Sequence, residues 1–313
     1  MVERWALRRA AIKLLRDNIR LKRGEKIVLV TDRKNDPIYS ALKQAATELG
    51  GAVREQRIRA GRQHSAPIPE ARKVLLWADV VLAPVDSSIT HSHETVEAMK
   101  RGLRGASMPA IYPGLFVKAM DCDAKAVDAA DTRIRKALKA AREVRITSPG
   151  GSDFTLYVKD RRVGDNGSDL WNPGSVTNIP FGEVFVAPVE TKGDGRIVFD
   201  SWKAPPHRGS VWIRNGKIVK CDAGARKYVN YLKRAGRCGL VIAELGFGTN
   251  PAFKKPIGNV LQDEKIFGSV HVAFGQNVSM GGKNRCGVHE DVIIMRPTVR
   301  VDERLVLAEG KMI

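Results

Sequence analysis

Five side chains able to bind a metal ion or move a proton stand alone in otherwise apolar stretches of this chain. Glu183 lies within Asn178-Ile-Pro-Phe-Gly-Glu-Val-Phe-Val-Ala-Pro188, and Glu244 within Leu240-Val-Ile-Ala-Glu-Leu-Gly-Phe-Gly-Thr-Asn250. His271 lies within Ser269-Val-His-Val-Ala-Phe-Gly275, while His289 and Asp291 open Val288-His-Glu-Asp-Val-Ile-Ile-Met295. A charge in an apolar strand is costly unless it is paired or metal-bound. His289 and Asp291 are two apart, so on a strand they point the same way and can reach one ion. Glycines 246, 248, 275, 281 and 282 permit tight turns and close backbone approach around them. Taken singly, the acids read as surface groups and His271 as a core histidine. Taken together, they predict one shared centre. Glutamate, histidine and aspartate without cysteine suit zinc, manganese, cobalt or ferrous iron. The pattern is not H-E-x-x-H, because the acid directly follows His289 and no second histidine comes a helical turn later.

Hydrolysis at such a centre also needs a proton shuttle, for which Glu264 and Lys265 are candidates; the plainer reading makes Asp263-Glu-Lys265 a helix start capped by Asp263. The four cysteines, at 122, 221, 238 and 286, form no C-x-x-C pair and read as free thiols of a reducing compartment. Cys286, three residues before His289, would suit a metal clip, although an ordinary thiol is the simpler assignment. A further stretch, Asp86-Ser-Ser-Ile-Thr-His-Ser-His-Glu94, follows the third expected strand. Thr90, His91 and His93 there line a substrate cleft, or the stretch is a solvated helix start capped by Thr90 or Ser92. Both readings stay open.

The elements that position these residues fall into two textures. Residues 5–21 have helical apolar spacing with a basic opposite face. The continuous apolar runs 26–32 and 79–85 read as parallel strands buried on both faces. Strands are expected at 52–58 and 108–113 and helices at 37–49, 69–77, 92–103 and 124–142, which predicts a doubly wound parallel sheet. It is Rossmann-like without a dinucleotide motif, since no G-x-G-x-x-G follows the first strand. From Val144 short strands alternate with Gly, Asp and Asn turns; Arg214-Asn-Gly-Lys217 is a two-residue hairpin. One helix, at 223–235, interrupts them, and 292–308 reads as two strands around Pro297. The expected organisation is an α/β domain at 1–143 and a β-rich α+β metal-binding catalytic domain at 144–313.

The 313 residues are 43% hydrophobic and 28% charged, which fits a globular chain with a proper core. No run of about 18 apolar residues exists, so no membrane span is expected. The start lacks a secretory pattern, and a cytoplasmic location is expected. The net charge of +19 is the best argument for a polyanion partner. The basic residues are dispersed and aromatics make up only 6%, so non-specific nucleic-acid binding alone is expected.

The motifs quoted above, with Asp263-Glu-Lys-x-x-Gly-x-x-His271, resemble the aminopeptidase T / aminopeptidase S family of metallo-aminopeptidases over 144–310. The likeness extends more weakly to Asn18–Asp32 and Ile89-Thr-His91. It implies that Glu183, Glu244, His271, His289 and Asp291 bind two divalent ions (zinc, cobalt or manganese), with a homodimer closing a chamber around a peptide substrate. Metal-activated water would then hydrolyse the N-terminal peptide bond. Val278 stands where those enzymes carry a metal-site tyrosine, and the chain is shorter than they are. Their superfamily also holds 2,5-dihydroxypyridine dioxygenase, similar to this chain in its two histidines and one aspartate; that likeness implies a single Fe(II) on His271, His289 and Asp291. A basic RNA- or ribosome-associated protein with a vestigial site is the third reading.

Overall fold

A computed structural model describes residues 2–63 and 66–313. Along the chain, helix α1 (Arg4–Lys13) leads into strand β1 (Lys26–Thr31), α2 (Pro37–Glu48), β2 (Ala52–Arg57), α3 (Arg72–Trp77), β3 (Val80–Val85), α4 (His93–Met99), β4 (Arg104–Pro109) and α5 (Pro113–Met120). Helix α6 (Ala124–Leu138) precedes β5 (Glu143–Thr147), β6 (Asp153–Tyr157), β7 (Val163–Asp165), β8 (Val176–Asn178), β9 (Glu183–Val186), β10 (Asp194–Phe199), β11 (Gly209–Arg214) and β12 (Lys217–Cys221). The remainder is α7 (Arg226–Lys233), β13 (Ile242–Gly248), α8 (Val260–Asp263), β14 (Val270–Gly275), β15 (His289–Ile294), β16 (Thr298–Val301), β17 (Arg304–Ala308) and β18 (Lys311–Met312).

The first compact unit comprises Met1–Ala124 and Asn166–Phe181. Its sheet runs β2-β1-β3-β4-β8, every neighbouring pair parallel. β1 and β3 are buried on both faces, as their uninterrupted apolar runs require. Val28 and Val30 join Val81, Ala83 and Val85 against Leu75 of α3 and Ala98 of α4, while Ile27 and Leu29 are buried on the opposite face. Asp36 caps α2 by accepting from the Ile38 amide at 2.7 Å, with Pro37 at the first helical position.

The second unit comprises Lys125–Asp165 and Gly182–Ile313. An antiparallel sheet of order β12-β11-β10-β6-β5-β16-β17-β18 and a smaller one of order β15-β14-β13-β9-β7 share one apolar core. Val144, Ile146, Phe154, Leu156 and Ile197 of the larger sheet meet Leu245, Phe247, Val272, Phe274 and Val292 of the smaller. The Asn215-Gly216 turn between β11 and β12 has positive φ at both positions, 50° and 70°, as a type I′ hairpin demands.

Four expectations are corrected. The division does not fall at 143/144: α6 sends Ile134 and Leu138 into the second core, and residues 166–181 return to the first unit because β8 adds in parallel to β4. The strand expected at 108–113 lies at Arg104–Pro109, followed by the unforeseen α5. The end of the chain forms β15 through β18, because Asp302 and Glu303, both at positive φ, turn the chain after β16. Cys238 and Cys286, read as free thiols, form a disulfide with Cα atoms 5.6 Å apart. Among the described residues no helix is long and apolar enough to cross a membrane.

Candidate metal centre

The smaller sheet of the second unit has two unlike faces. Strand alternation sends Val184, Val186, Leu245, Phe247, Val270, Val272, Phe274, Val292 and Ile294 into the shared core. The opposite face carries Glu183 on β9, Glu244 on β13, His271 on β14, and His289 and Asp291 on β15. Cross-strand register brings them together: Ala273 stands opposite both Glu244 and Asp291, and Gly275 opposite His289. All five residues singled out by sequence share one sheet face.

Small residues between them make the room. His271 is paired with Gly246 across β13 and β14, and a Cβ at position 246 would lie 1.9 Å from the imidazole Nε2. Gly248, two residues on, has the Ile266 carbonyl where its Cβ would stand, at 2.0 Å. The glycines read in the sequence as loop formers are thus also space makers within β13.

Glu244 lies between the two imidazoles. Its Oε1 is 3.4 Å from His271 Nε2 and its Oε2 is 3.0 Å from His289 Nε2. Asp291 Oδ2 is 3.4 Å from His289 Nε2, and Glu183 Oε2 is 3.6 Å from His271 Nε2. Ligand-type atoms of Glu244, His289 and Asp291 fall within 4.8 Å of one another, which is the size of a single-ion site. His289 Nδ1 donates to the Gln276 carbonyl at 2.6 Å, which turns Nε2 toward Glu244 and Asp291. Sequence reasoning missed Gln276, because its contribution is a main-chain carbonyl.

Lys265 and Glu264 reach the same face. Lys265 is 1% exposed and its ammonium spans Glu183 at 2.7 Å and Glu264 at 2.8 Å. Asp263 is the last residue of α8 and not its cap; Asn259 caps that helix. The Asp263 carboxylate instead accepts from the Ile257 and Gly258 amides at 2.9 and 2.8 Å and from the Ser201 hydroxyl at 3.1 Å. In the first unit, Thr90 is buried, its hydroxyl bonded to Ser88 at 3.0 Å and Asn178 at 3.1 Å, whereas His91 is exposed. Ser92 is the cap of α4.

The electrostatics fit a cation. Glu244 and Asp291 lie against the two imidazoles, while the Lys265 ammonium is taken up by Glu183 and Glu264. Burial pulls the His271 imidazolium down, but the hydrogen bond to Glu244 and the charges of Glu244 and Glu183 push it up to about 9. Burial likewise opposes the His289 proton, and Asp291 and Glu244 overcome it. Glu244 stays below the usual carboxylate range, against burial, because both histidines donate to it. Burial raises Glu264 to about 8 despite Lys265. Protons on the histidines thus offset the excess negative charge, and a divalent ion would replace them. The Asp291 Oδ1 atom is buried and accepts no hydrogen bond, which is the unpaired donor atom a metal ligand requires.

Residues 11–313 match the family model described as 2,5-dihydroxypyridine 5,6-dioxygenase (NicX). The 2,5-dihydroxypyridine 5,6-dioxygenase of Pseudomonas putida KT2440 is 24% identical over 266 residues, covering 78% of this chain and 73% of that protein. The solved structure of 2,5-dihydroxypyridine dioxygenase from the same organism superposes with a TM-score of 0.85 at 19% identity, covering 100% of this chain and 98% of the other. Wild-type AmpT from Thermus thermophilus superposes with a TM-score of 0.72 at 14% identity, covering 99% of each chain. At these identities the structural likenesses establish the fold. The resemblance to the aminopeptidase group therefore holds for the fold, while the family match is to the dioxygenases.

Proposed function

This chain belongs to the 2,5-dihydroxypyridine 5,6-dioxygenase family, and from that premise we propose that it is a mononuclear ferrous-iron dioxygenase. The proposed ligands are His271, His289 and Asp291, and the proposed reaction opens a hydroxylated aromatic ring of the family's type. The observation that supports this reading is the placing of His271, His289 and Asp291 on one sheet face around Glu244, whose oxygens are 3.4 Å from His271 Nε2 and 3.0 Å from His289 Nε2, with Asp291 Oδ2 3.4 Å from His289 Nε2. Two histidines and one carboxylate with open positions are the donor set of non-haem ferrous oxygenases.

Ferrous iron bound there would supply the electron-transfer chemistry that lets molecular oxygen react with an electron-rich ring. The chain's own residues prepare the site. Gln276 fixes the His289 tautomer through its carbonyl. Gly246 and Ala273 keep the space beside His271 and Asp291 free of side-chain bulk. Glu244 lies beside both proposed ligand atoms, 3.4 Å from His271 Nε2 and 3.0 Å from His289 Nε2. Glu264, its carboxyl raised to about 8, holds a proton near neutral pH beside the Lys265 ammonium, and we assign it the proton delivered to the opening ring.

The two-metal aminopeptidase is the second reading, favoured by one observation: Glu183 Oε2 lies 3.6 Å from His271 Nε2, so a fifth ligand-type group is at hand. Assays separate the two. Protein reconstituted with Fe(II) without oxygen is then supplied with oxygen and 2,5-dihydroxypyridine, and separately with peptide amides. Oxygen uptake matched to loss of ring absorbance is expected, with no release of N-terminal residues. Peptide hydrolysis by zinc-, cobalt- or manganese-loaded protein without oxygen uptake would reverse the assignment. The charge of +19 is proposed to give non-specific RNA binding only, lost between about 50 and 200 mM salt as electrostatic contacts are. Tight filter binding that survives that salt range would contradict it.

A further inference from the structure

The connection between β14 and β15 joins the strand of His271 to the strand of His289, and the Cys238–Cys286 disulfide ties it down. Cys238 lies in the short helical turn Gly236–Leu240 that leads into β13, the strand of Glu244. Both cysteines are half-buried and so within reach of a small thiol. Gln276 links the disulfide to the site: its side-chain oxygen accepts from the Cys286 amide at 3.3 Å, and its carbonyl holds His289 Nδ1 at 2.6 Å. We propose that Cys238–Cys286 is a reversible dithiol switch whose opening loosens the segment 285–288 and, through Gln276, the seating of His289.

The rest of the connection is built to stay in place. Glu190 accepts from Asn277 Nδ2 at 3.0 Å and from the Lys283 amide at 2.5 Å, independently of either sulfur. Asn284 Nδ2 bonds the Cys238 carbonyl at 2.9 Å and the Gly275 carbonyl at 2.6 Å. Reduction therefore acts on the few residues just before His289 and leaves the hairpin attached. Disulfides that persist suit oxidising compartments, and those in reducing ones are typically transient and regulatory. Here the bond lies three residues before a proposed ligand. The chemistry is thiol–disulfide exchange with a dithiol reductant: the S–S bond breaks, two electrons and two protons pass to the two Sγ atoms, and the reductant closes to its own disulfide. A disulfide oxidant of the same class reverses it.

The test uses the full chain. Alkylation after denaturation of protein purified without reductant should modify Cys122 and Cys221 alone, and all four cysteines once a dithiol has been added. Amide hydrogen exchange is then followed on metal-free protein, so that this arm holds whichever metal the site takes. Residues 285–288 should exchange at least tenfold faster after reduction, residues 277–284 should change little, and reoxidation should restore the first rate. Fe(II)-loaded protein, an arm that rests on the iron reading, should give up its iron to a chelator several-fold faster when reduced. Cys286→Ser and Cys238→Ser should each behave like the reduced wild type, which itself needs no variant to fold. Four alkylatable cysteines before reduction, unchanged exchange at 285–288, or faster exchange spread evenly over the second unit would each overturn the switch.

Discussion

Gly246 and His271 are directly paired across β13 and β14, and the imidazole occupies the volume in which any side chain at position 246 would lie. The absence of a Cβ is therefore part of the proposed metal centre. Gly246→Ala should push the ring out of line with Glu244 and weaken metal binding by roughly 10- to 100-fold, the range seen when groups that orient a ligand are lost. Far-ultraviolet circular dichroism should stay unchanged. Unaltered metal affinity in this variant would remove His271 from the site.

Lys265 is a buried cation shared by two acids, the buried Glu183 and the half-buried Glu264. Removing one partner of such a cluster strands the others without compensation, at a cost of about 3–5 kcal/mol. Lys265→Met should lower the denaturant midpoint of the second unit by a corresponding amount. Adding Glu183→Gln to that variant should recover part of the loss, because it removes the stranded charge. A stability equal to wild type for Lys265→Met would show that the ammonium is not the partner the geometry makes it.

Asp131 on α6 accepts from the Thr249 hydroxyl at 2.5 Å, while its Oδ2 is buried without a partner. Burial, ahead of the opposing Thr249 hydrogen bond, raises this carboxyl from its ordinary value of 3.8 to about 8. The folded state thus binds the proton more tightly than the unfolded chain does. Stability is fullest below about pH 4 for this group and declines as pH rises toward 8, by about 1.4 kcal/mol per pH unit at most. Asp131→Asn keeps an acceptor for Thr249 and cannot ionise. The melting temperature of the variant relative to wild type should rise steadily from pH 5 to pH 8; a constant difference would place the wild-type carboxyl at an ordinary value.

The candidate site was legible because the residues proposed for it break a local rule. Glu183, Glu244, His271 and Asp291 are polar groups in strands whose other positions are apolar, and period-two spacing alone puts His289 beside Asp291. The runs of β1 and β3 were legible for the complementary reason: nothing interrupts them. What was hidden depended on partners distant in sequence. Strand β4 begins at Arg104, an unlikely buried residue until Glu25 is seen 2.9 Å away. Helix α5 starts Pro113-Gly114, which reads locally as a turn. Nothing near α6 indicates that its apolar stripe packs on strands of the second unit. Cys238 and Cys286 are 48 residues apart, a separation across which spacing carries no pairing information.

Metal content is the measurement closest to the central claim. Protein reconstituted without oxygen in a mixture of Fe(II), Zn(II), Mn(II) and Co(II), then desalted, is analysed by elemental mass spectrometry alongside His271→Ala, His289→Ala and Asp291→Ala. One iron per chain is predicted for the wild type, and none for any of the three variants. Two zinc, cobalt or manganese ions per chain, or one iron retained in two of the three variants, would contradict the account.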